Sequence, residues 1–511
     1  MATHEVTNQV PLLSGHDVAD DPALLSWVDD AELHSLGRLA GSSEWQEHGR
    51  LANAHPPVLH THDRFGNRID EVEFHPAWHQ LMDVAVTHGL HAYVDGGHLE
   101  RAAKFYVWSQ VEAGHGCPIS MTYASVPALR VAPDLAGSYE PLLTARNYDF
   151  GLRAPLSKQG LIAGMSMTEK QGGSDVRANT TVAKPVADGY LLTGHKWFTS
   201  APMSDVFLTL AQAPGGLTCF LVPRVLPDGT RNRFFLQRLK DKLGNKSNAS
   251  AEIEYDEAFA HRVGDEGRGV RTIIEMVNMT RLDCVLGSAA GMRAGLRQAA
   301  HHAAHRKAFG SYLVDQPAMR NVLADLAIES EAATTAAMWL AQNRPRLGLA
   351  VTKYWVCKRG PVHAAEALEC LGGNGYIEDS GMPRLFRESP LMSIWEGSGN
   401  VAALDVLRAM KREPDSVQEF LAAVTGVDRR IDRALNELGT ALSDVDESQA
   451  RRVVEKMALI LQGALLVKHG HPAVADAFLG SRLGGDWGVA FGTLPKSTDF
   501  ASIIDRAAPK T

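Results

Sequence analysis

The sequence predicts a multi-domain α+β protein in which a helical domain, an antiparallel β domain and a four-helix bundle follow one another, with a further helical region at the C-terminus. The first supporting observation is the length of 511 residues, which at roughly 100–200 residues per domain implies about three to four structural units. The second is the spacing of apolar residues, which changes from helical to strand-like near residue 160 and back again near residue 269.

Five consecutive segments are predicted. Residues 1–75 form an N-terminal extension of unassigned role with one helical stretch, and residues 76–160 carry apolar residues at the spacing of amphipathic helices. Residues 161–268 contain seven short runs rich in β-branched and aromatic residues, separated by turn formers, and predict the β domain. Long helical patterns in residues 269–410 predict the bundle, and helical patterns continue through residues 411–511.

The composition is that of an ordinary globular protein. Hydrophobic residues make up 45% and charged residues 22% of the chain, which excludes a disordered, collagen-like or coiled-coil protein. The net charge of -8 confines any nucleic-acid role to a local patch. Five scattered cysteines, no recognisable signal peptide and no apolar run of the ~18 residues that a membrane span needs predict a cytoplasmic protein without a membrane partner.

Several common active-site motifs are absent. No G-x-G-x-x-G loop follows a strand, and neither a P-loop nor a G-x-S-x-G elbow is present, which argues against nicotinamide and nucleoside-triphosphate chemistry. Two groups of histidines, His75 with His79 and His301 with His302 and His305, have helical spacing but no H-E-x-x-H pattern. Surface or packing roles are favoured for them, and no metal site is predicted.

The first segment with candidate chemistry spans residues 167–175. Gly172 and Gly173 permit close approach of the backbone to a ligand, and the hydroxyls of Thr168 and Ser174 lie nearby in the sequence. Such a loop suits a flat polar heterocycle or a phosphate. An ordinary hairpin connection has the same composition.

The second segment runs from His195 to Ser200. Its Trp-Phe pair stands beside two hydroxyl groups, so it offers an apolar wall with hydrogen-bonding groups at its edge. That arrangement suits a cofactor ring. The alternative is a strand whose aromatic residues face the core.

The third segment spans residues 393–400. A lone carboxylate, Glu396, stands between an Ile-Trp pair and a glycine-rich turn, where partial desolvation would suit a general base working near neutrality. Ser398 and Asn400 offer polar contacts to a ligand. The alternative is a loop glutamate in solvent.

Together and in this order, these segments resemble the acyl-CoA dehydrogenase family of flavoproteins, which has the same order of domains. The resemblance covers roughly residues 77–410 and rests on five ordered motifs. The matching residues are Thr168, Glu169, Gly173, Ser174 and Asp175; Gly194 to Ser200; Arg306, Phe309 and Gly310, with Gln316 downstream; Gly372, Gly373, Gly375 and Tyr376; and Ile394 to Ser398.

The resemblance implies an acyl-CoA dehydrogenase fold, an FAD cofactor, an acyl-CoA substrate, a homotetramer and an electron-transfer flavoprotein as acceptor. It implies that Glu396 removes the α-proton of a short or branched acyl thioester while hydride passes to flavin N5. Some family members carry the base just before the position of Arg281, where this chain has Thr280. Flavin contacts are implied for Met167, Thr168, Gly173, Ser174, Trp197, Phe198, Ser200, Arg306, Phe309, Gln316, Gly372, Gly373, Trp395, Ser398 and Asn400, and substrate contacts for Thr168, Ser174 and Arg281.

A closer resemblance is to the AidB-like branch of that family, which is associated with the response to alkylation damage and includes isovaleryl-CoA dehydrogenase-like activity. It is carried by HPAWHQLM, CPISMTYA, MTEKQGGSDV, RLKDKLGNKSNAS and IWEGSGN and by the additional C-terminal region. It implies an alternative function as a flavoprotein that binds double-stranded DNA and has weak or different catalytic activity.

The candidate DNA contacts are Arg429, Arg430 and Arg433, to which Arg451, Arg452 and Lys456 would add on a neighbouring helix. Phosphate contacts of this kind give sequence-independent affinity. Acidic residues stand among these cations, so a solvated face of internal ion pairs is the alternative. A flavin monooxygenase on the same fold is a third possibility.

Overall fold

The computed structural model describes residues 4–93 and 97–510. The described chain divides into two compact units. The β unit comprises residues 44–101 and 112–280, and the bundle unit comprises residues 4–43, 102–111 and 281–510, apart from the residues outside the described ranges.

The helices and strands are numbered in chain order. The helices are α1 Pro22–Leu25, α2 Ala31–Ala40, α3 Ser43–Ala54, α4 Pro76–Thr87, α5 His98–Trp108, α6 Gly116–Leu129, α7 Pro133–Leu143, α8 Gly269–His305, α9 Pro317–Asn343, α10 Arg346–Glu369, α11 Gly373–Tyr376, α12 Met382–Met392, α13 Gly399–Arg412, α14 Pro414–Val424, α15 Arg429–Leu442, α16 Ala450–His469, α17 Pro472–Phe478 and α18 Phe500–Ala507. The strands are β1 Val58–His62, β2 Arg68–Glu73, β3 Ala163–Ser166, β4 Val182–Val186, β5 Gly189–Ser200, β6 Val206–Ala213, β7 Gly216–Pro223, β8 Phe234–Leu239, β9 Ser250–Val263, β10 Lys307–Ala308 and β11 Ser311–Tyr312.

The β unit is built around a seven-stranded sheet, β3–β9. Each of the seven strand-like runs in the sequence overlaps one of these strands. Strands β6, β4, β5, β9 and β7 pair in that order, and β7 pairs again with β6 to close a ring, while β8 extends the sheet from β9. Most pairings are antiparallel, but β3 and β4 run parallel to β6. Buried aromatic residues pack against this sheet, including Phe207 on β6 and Phe234 on β8, whose ring centroids lie 5.0 Å apart.

A short antiparallel hairpin, β1–β2, lies between α3 and α4 in this unit. It was not predicted from the sequence. Its strands are largely polar and mostly exposed or half-buried, so they lack the alternation of apolar and polar residues that would identify them.

The bundle unit has one continuous hydrophobic core. The long helices α8, α9 and α10 carry alanine-rich buried faces, and α16, from the C-terminal region, packs against α9, α10 and α13. Its residues Val453, Met457 and Leu461 are buried in the same cluster as Leu326 and Val351. The C-terminal helices therefore share the core of the bundle within this unit.

Two buried glutamates predict loss of stability in acid. Burial opposes ionisation of Glu329, but the guanidinium groups of Arg359 and Arg482 outweigh it and lower the pKa of Glu329 from 4.5 to about 2. Burial likewise opposes ionisation of Glu112, but hydrogen bonds from His115 and other donors lower the pKa of Glu112 to about 2. At pH values above the unfolded-state pKa, each of these pKa shifts contributes roughly 3 kcal/mol to the stability of the fold.

Because both folded-state pKa values are depressed, this stability is present above pH 4.5 and is lost as the pH falls toward 2. We expect the thermal unfolding midpoint to fall steeply across that window. In Glu329→Gln, which has no titrating group there, the fall between the two ends of the window is smaller. A wild-type midpoint that stays constant through the window contradicts the assignment.

Candidate active site

The residues predicted to contact flavin or substrate fall into two groups, one in each unit. The β unit contains Met167, Thr168, Gly173, Ser174, Trp197, Phe198 and Ser200. The bundle unit contains Arg281, Arg306, Phe309, Gln316, Gly372, Gly373, Trp395, Glu396, Ser398 and Asn400. Each group is described within its own unit.

In the β unit, the loop that follows β3 lies beside β5. The backbone N–H of Trp197 donates to the carbonyl oxygen of Thr168 at 2.8 Å, and the side-chain amide of Asn179 donates to the carbonyl oxygen of Met167 at 3.0 Å. The first of these bonds joins two segments that were selected separately in the sequence. The two segments therefore lie side by side.

Gly173 is required by the shape of this loop. A Cβ atom on Gly173 would lie 2.4 Å from Thr168 Oγ1, which is far inside van der Waals contact, so the loop folds back closely on Thr168. Gly173 and Ser174 are both accessible to solvent. Backbone and hydroxyl groups of this loop are thus accessible to a ligand.

A buried ion pair lies beneath the loop. Glu169 Oε1 and Lys196 Nζ are 2.8 Å apart, and both side chains are fully buried. Glu169 also accepts a hydrogen bond from the backbone N–H of Thr180 at 2.6 Å. Burial opposes ionisation of Glu169, but Lys196 and these donors lower its pKa to about 2. The pair fixes the loop to β5, because one partner lies on each.

Lys240 covers the aromatic pair on β5. Its Nζ lies 3.5 Å from the centroid of the Trp197 ring and 4.7 Å from that of Phe198, which is cation–π geometry. Phe198 is 50% exposed, so the alternative in which both aromatic residues face the core does not hold for Phe198. In the sequence, Lys240 stood out only as part of a motif and had no predicted role at the site. Ser200 Oγ lies 3.3 Å from Ser250 Oγ on β9.

In the bundle unit, Arg306, Phe309 and Gln316 lie on or beside the small hairpin β10–β11. The Gln316 side-chain amide donates to the carbonyl oxygen of Ala308 at 2.9 Å, which ties the segment after the hairpin to β10. Phe309 stands at the tip, fully exposed and with a left-handed φ of 53°.

The N-terminal segment contacts this hairpin. The side-chain amide of Asn8 donates to the carbonyl oxygen of Lys307 at 2.8 Å and its Oδ1 accepts from the backbone N–H of Lys307 at 2.9 Å. Arg306 donates from its guanidinium to the carbonyl oxygen of Asn8. Asn8 was not predicted from the sequence, because nothing local marks a residue whose partners lie almost 300 positions away in the chain.

Gly372 and Gly373 follow the end of α10. Gly372 has a left-handed φ of 61°, and a Cβ atom on either glycine would meet nothing within 4 Å. The left-handed backbone at Gly372 favours glycine there. Both positions have room for a side chain, so neither needs glycine for reasons of space. This turn therefore presents open backbone to its surroundings within the bundle unit.

Glu396 lies in a turn between α12 and α13. It is half-buried and adopts a left-handed φ of 57°, and Gly397 follows with φ 104°. Arg281 donates from Nε to the carbonyl oxygen of Glu396 at 3.0 Å and from its guanidinium to Asp405 Oδ2 at 2.8 Å. The structure thus brings Arg281 to the backbone of the predicted base, and Trp395 precedes it in the same turn.

The start of α13 carries the remaining predicted contacts. Ser398 is the N-cap residue of this helix, although its side chain makes no capping bond. Asn400 Oδ1 accepts a hydrogen bond from Arg451 Nε at 2.7 Å. Arg451 belongs to the candidate DNA ridge, which is the predicted basic surface of Arg429, Arg430, Arg433, Arg451, Arg452 and Lys456. It contacts a predicted flavin residue instead of standing apart from the site.

The other basic residues of the ridge lie among acids. Arg430 pairs with Asp428 at 3.1 Å and with Asp476 at 2.6 Å. Glu437 lies 4.0 Å from Arg433 and 2.5 Å from Lys456. Much of the positive charge on α15 is thus balanced locally.

Two further features concern the whole described chain. Across residues 4–93 and 97–510, no three His, Cys, Asp or Glu side chains are grouped so that they could hold a metal ion. None of the helices in these ranges is both long enough and apolar enough to cross a membrane.

The residues in both units fit FAD, which joins a flat ring with a polar edge to a diphosphate and adenosine. The β unit offers the cradle at Gly173, accessible hydroxyls and the half-buried indole of Trp197. The bundle unit offers the guanidinium of Arg306 and the amide of Gln316 beside an exposed phenyl ring. These are the donor and stacking groups that hold such a cofactor.

The β unit and the bundle unit each offer groups that suit FAD, and the order of helical segment, β domain and long-helix bundle is typical of a flavoprotein oxidoreductase. Family models match the chain over most of its length. The AidB N-terminal domain matches residues 8–150, the acyl-CoA dehydrogenase middle domain matches residues 164–258, and the acyl-CoA dehydrogenase C-terminal domain matches residues 267–411.

Individual relatives agree with these models. The putative acyl-CoA dehydrogenase AidB of Escherichia coli (strain K12) is 44% identical over 506 residues, which cover 93% of this chain and 94% of that protein. The crystal structure of Caenorhabditis elegans ACDH-11 in complex with C11-CoA superimposes with a TM-score of 0.82 at 28% identity, covering 94% of this chain and 93% of the other. A Bacillus anthracis acyl-CoA dehydrogenase complexed with FAD shares the fold, with a TM-score of 0.65 at 15% identity, covering 85% and 87% of the two chains.

This chain belongs to the acyl-CoA dehydrogenase family, in its AidB-like branch. Its fold is the one that the sequence predicted, and its cofactor is FAD.

Proposed function

We propose that this chain is an FAD-dependent acyl-CoA dehydrogenase that oxidises a short or branched acyl-CoA between its α and β carbons, with Glu396 as the base. The observation that carries the proposal is the turn at Glu396. A half-buried carboxylate residue is held there in a strained backbone conformation, and a buried arginine donates to its carbonyl oxygen. Strain of this kind concentrates at functional sites.

In this mechanism, Glu396 accepts the α-proton of the thioester, and the electron pair of that C–H bond becomes part of the new α,β double bond. FAD, when bound, accepts the hydride that leaves the β-carbon. Arg281 contributes by donating to the Glu396 carbonyl oxygen while Asp405 fixes the guanidinium. The protein thus supplies a positioned base with no protein nucleophile and no metal.

The predicted residues of the β unit and those of the bundle unit have different proposed roles in binding FAD. Thr168, Gly173 and Ser174 supply backbone and hydroxyl donors, and Trp197 supplies an aromatic surface. Arg306, Phe309 and Gln316 are proposed to reach the FAD of a neighbouring subunit in a homotetramer, as the family resemblance implies. The full exposure of Phe309 supports this role.

The acyl-CoA substrate class is supported by the similar ACDH-11 structure, which is a complex with C11-CoA. The proposed acceptor for the electrons is an electron-transfer flavoprotein, which is the partner that the family resemblance implies.

The test is anaerobic bleaching of the flavin by a panel of straight and branched acyl-CoA thioesters. We expect the purified protein to carry FAD and at least one short or branched thioester to bleach it. Protein that retains FAD but is bleached by no thioester of the panel contradicts the proposal. Productive reaction of the reduced flavin with oxygen, forming a hydroxylated product, would favour the monooxygenase instead.

The second candidate function is binding of double-stranded DNA through α15 and α16, with weak or different catalysis. The exposed side chain of Arg433, which is 62% accessible to solvent, favours it. The ion pairs of Arg430, Arg433 and Lys456 argue against it, because they leave little net positive charge for phosphates. Affinity for a labelled duplex that weakens with added salt and in Arg429→Ala would support this function.

A further inference from the structure

The turn that carries Glu396 is held by two buried cations. Its three successive carbonyl oxygens, of residues 395, 396 and 397, each accept a hydrogen bond from a lysine or an arginine. The middle carbonyl belongs to Glu396 and is bonded to Arg281. The two outer carbonyls, of Trp395 and Gly397, are bonded to a single residue, Lys353.

Lys353 lies on α10 and is 2% exposed. Its ammonium group donates to the carbonyl oxygen of Trp395 at 2.5 Å and to that of Gly397 at 2.6 Å. Within the described part of the chain, Lys353 forms no ion pair with a carboxylate. Its buried charge is therefore stabilised chiefly by the backbone carbonyl dipoles of this turn. Burying a charge without a charged partner costs free energy, which indicates that the contacts of Lys353 with the turn have a role.

The bonds from Lys353 span the residue between them. Trp395 and Gly397 flank Glu396, so one ammonium group fixes the backbone on both sides of the carboxylate-bearing residue. The enclosed residue has a left-handed φ of 57°, a conformation that an L-residue with a side chain adopts only when its surroundings impose it. Arg281 imposes it through one bond and Lys353 through two.

We propose that Lys353 is the positioning residue for the catalytic base: it holds Trp395 and Gly397 so that the Glu396 backbone stays left-handed and its carboxylate keeps the direction needed for proton transfer. The inference rests on the proposed function, in which Glu396 is the base. Nothing local in the sequence marks Lys353, because it acts across 42 and 44 positions of the chain.

The test compares Lys353→Met with the wild type in the FAD-replete protein. We expect the limiting rate of flavin bleaching to fall about 10²-fold, because a base displaced by about 1 Å loses that much. The dissociation constants for FAD and for acyl-CoA are expected to change less than about threefold, since a positioning role affects the limiting rate and not binding. Lys353→Arg, which keeps a buried cation with several donors, is expected to recover most of the rate.

The matched control is Lys158→Met. Lys158 is another buried lysine, lies in the β unit and bonds to Asp205 at 2.6 Å, so its loss lowers stability without touching the Glu396 turn. Equal slowing in both methionine variants would mean that any lost buried cation has this effect, and it would overturn the proposal. If Lys353→Met does not fold, Lys353→Gln replaces it, with a slower rate expected because one amide holds the turn less firmly; a wild-type rate there overturns the proposal.

Glu396→Gln is measured alongside to separate the two claims. A Glu396→Gln protein that bleaches at the wild-type rate contradicts the proposed function itself. A slow Glu396→Gln protein together with a Lys353→Met protein of wild-type rate contradicts only the role of Lys353.

Discussion

Replacing Glu396 by Gln slows bleaching of the flavin by acyl-CoA by roughly 10²–10⁴-fold, the range expected when a general base is removed. Glutamine keeps the size of the side chain but cannot accept the α-proton. Because the Arg281 and Lys353 contacts are made to backbone carbonyl oxygens, the turn itself is expected to persist. The rate is measured by anaerobic stopped-flow mixing with the thioester that bleaches the wild type fastest.

Two controls accompany this variant. FAD content and acyl-CoA affinity should match those of the wild type, because the substitution is nearly isosteric and removes only the proton acceptor. The conservative change Glu396→Asp keeps an acceptor on a shorter side chain, so we expect an intermediate rate. Bleaching in Glu396→Gln within about threefold of the wild type would exclude this residue as the base.

Replacing Arg482 by Met lowers the free energy of unfolding by about 3–5 kcal/mol, the cost of leaving buried charges without their partner. Arg482 lies after α17, with its guanidinium 2.5 Å from Asp325 and 3.0 Å from Glu329, and all three side chains are almost completely buried. Arg359 still pairs with Glu329 in the variant, whereas Asp325 loses its only described ion pair. Urea denaturation followed by circular dichroism measures the change.

The matched control is Arg506→Met. Arg506 also pairs with a glutamate of α9, Glu331 at 2.9 Å, but the two side chains are 22% and 11% exposed. A partly solvated pair contributes little, so we expect a loss of about 1 kcal/mol or less. We expect the ion pairs of Arg482 to stabilise the packing of the C-terminal region on α9 more than the ion pair of Arg506 does. Similar free energies of unfolding for the Arg482 and Arg506 variants would contradict this.

The sequence was sufficient to predict the β unit and the bundle because the signals for both are local. Seven short strand-like runs and long alanine-rich helical patterns identify the β unit and the bundle from spacing alone. The pairing of strands is different. The antiparallel contacts of β9 with β5 and β7 and the parallel contact of β3 with β6 join strands that are not consecutive in the chain. Those features required coordinates.

The candidate site was also predictable only in part. Gly173 and Glu396 were selected from local composition, and the resemblance to the family gave them roles that remain predictions. Three supporting contacts could not be predicted from the sequence. They are Lys196 with Glu169, Asn8 with the β10–β11 hairpin, and Lys353 with the Glu396 turn. Each joins residues far apart in the chain, and no local pattern marks a buried lysine or a surface asparagine as their partner.

The most direct test of the central claim is the effect of α-deuteration on bleaching of the flavin. The thioester of the panel that bleaches the wild type fastest is prepared with deuterium at its α-carbon, mixed anaerobically with the FAD-replete protein and compared with the unlabelled thioester. The proposed dehydrogenation predicts that both bleach the flavin and that the deuterated thioester does so more slowly, because Glu396 breaks that C–H bond. Bleaching at identical rates, or no bleaching by either thioester while FAD stays bound, would contradict it.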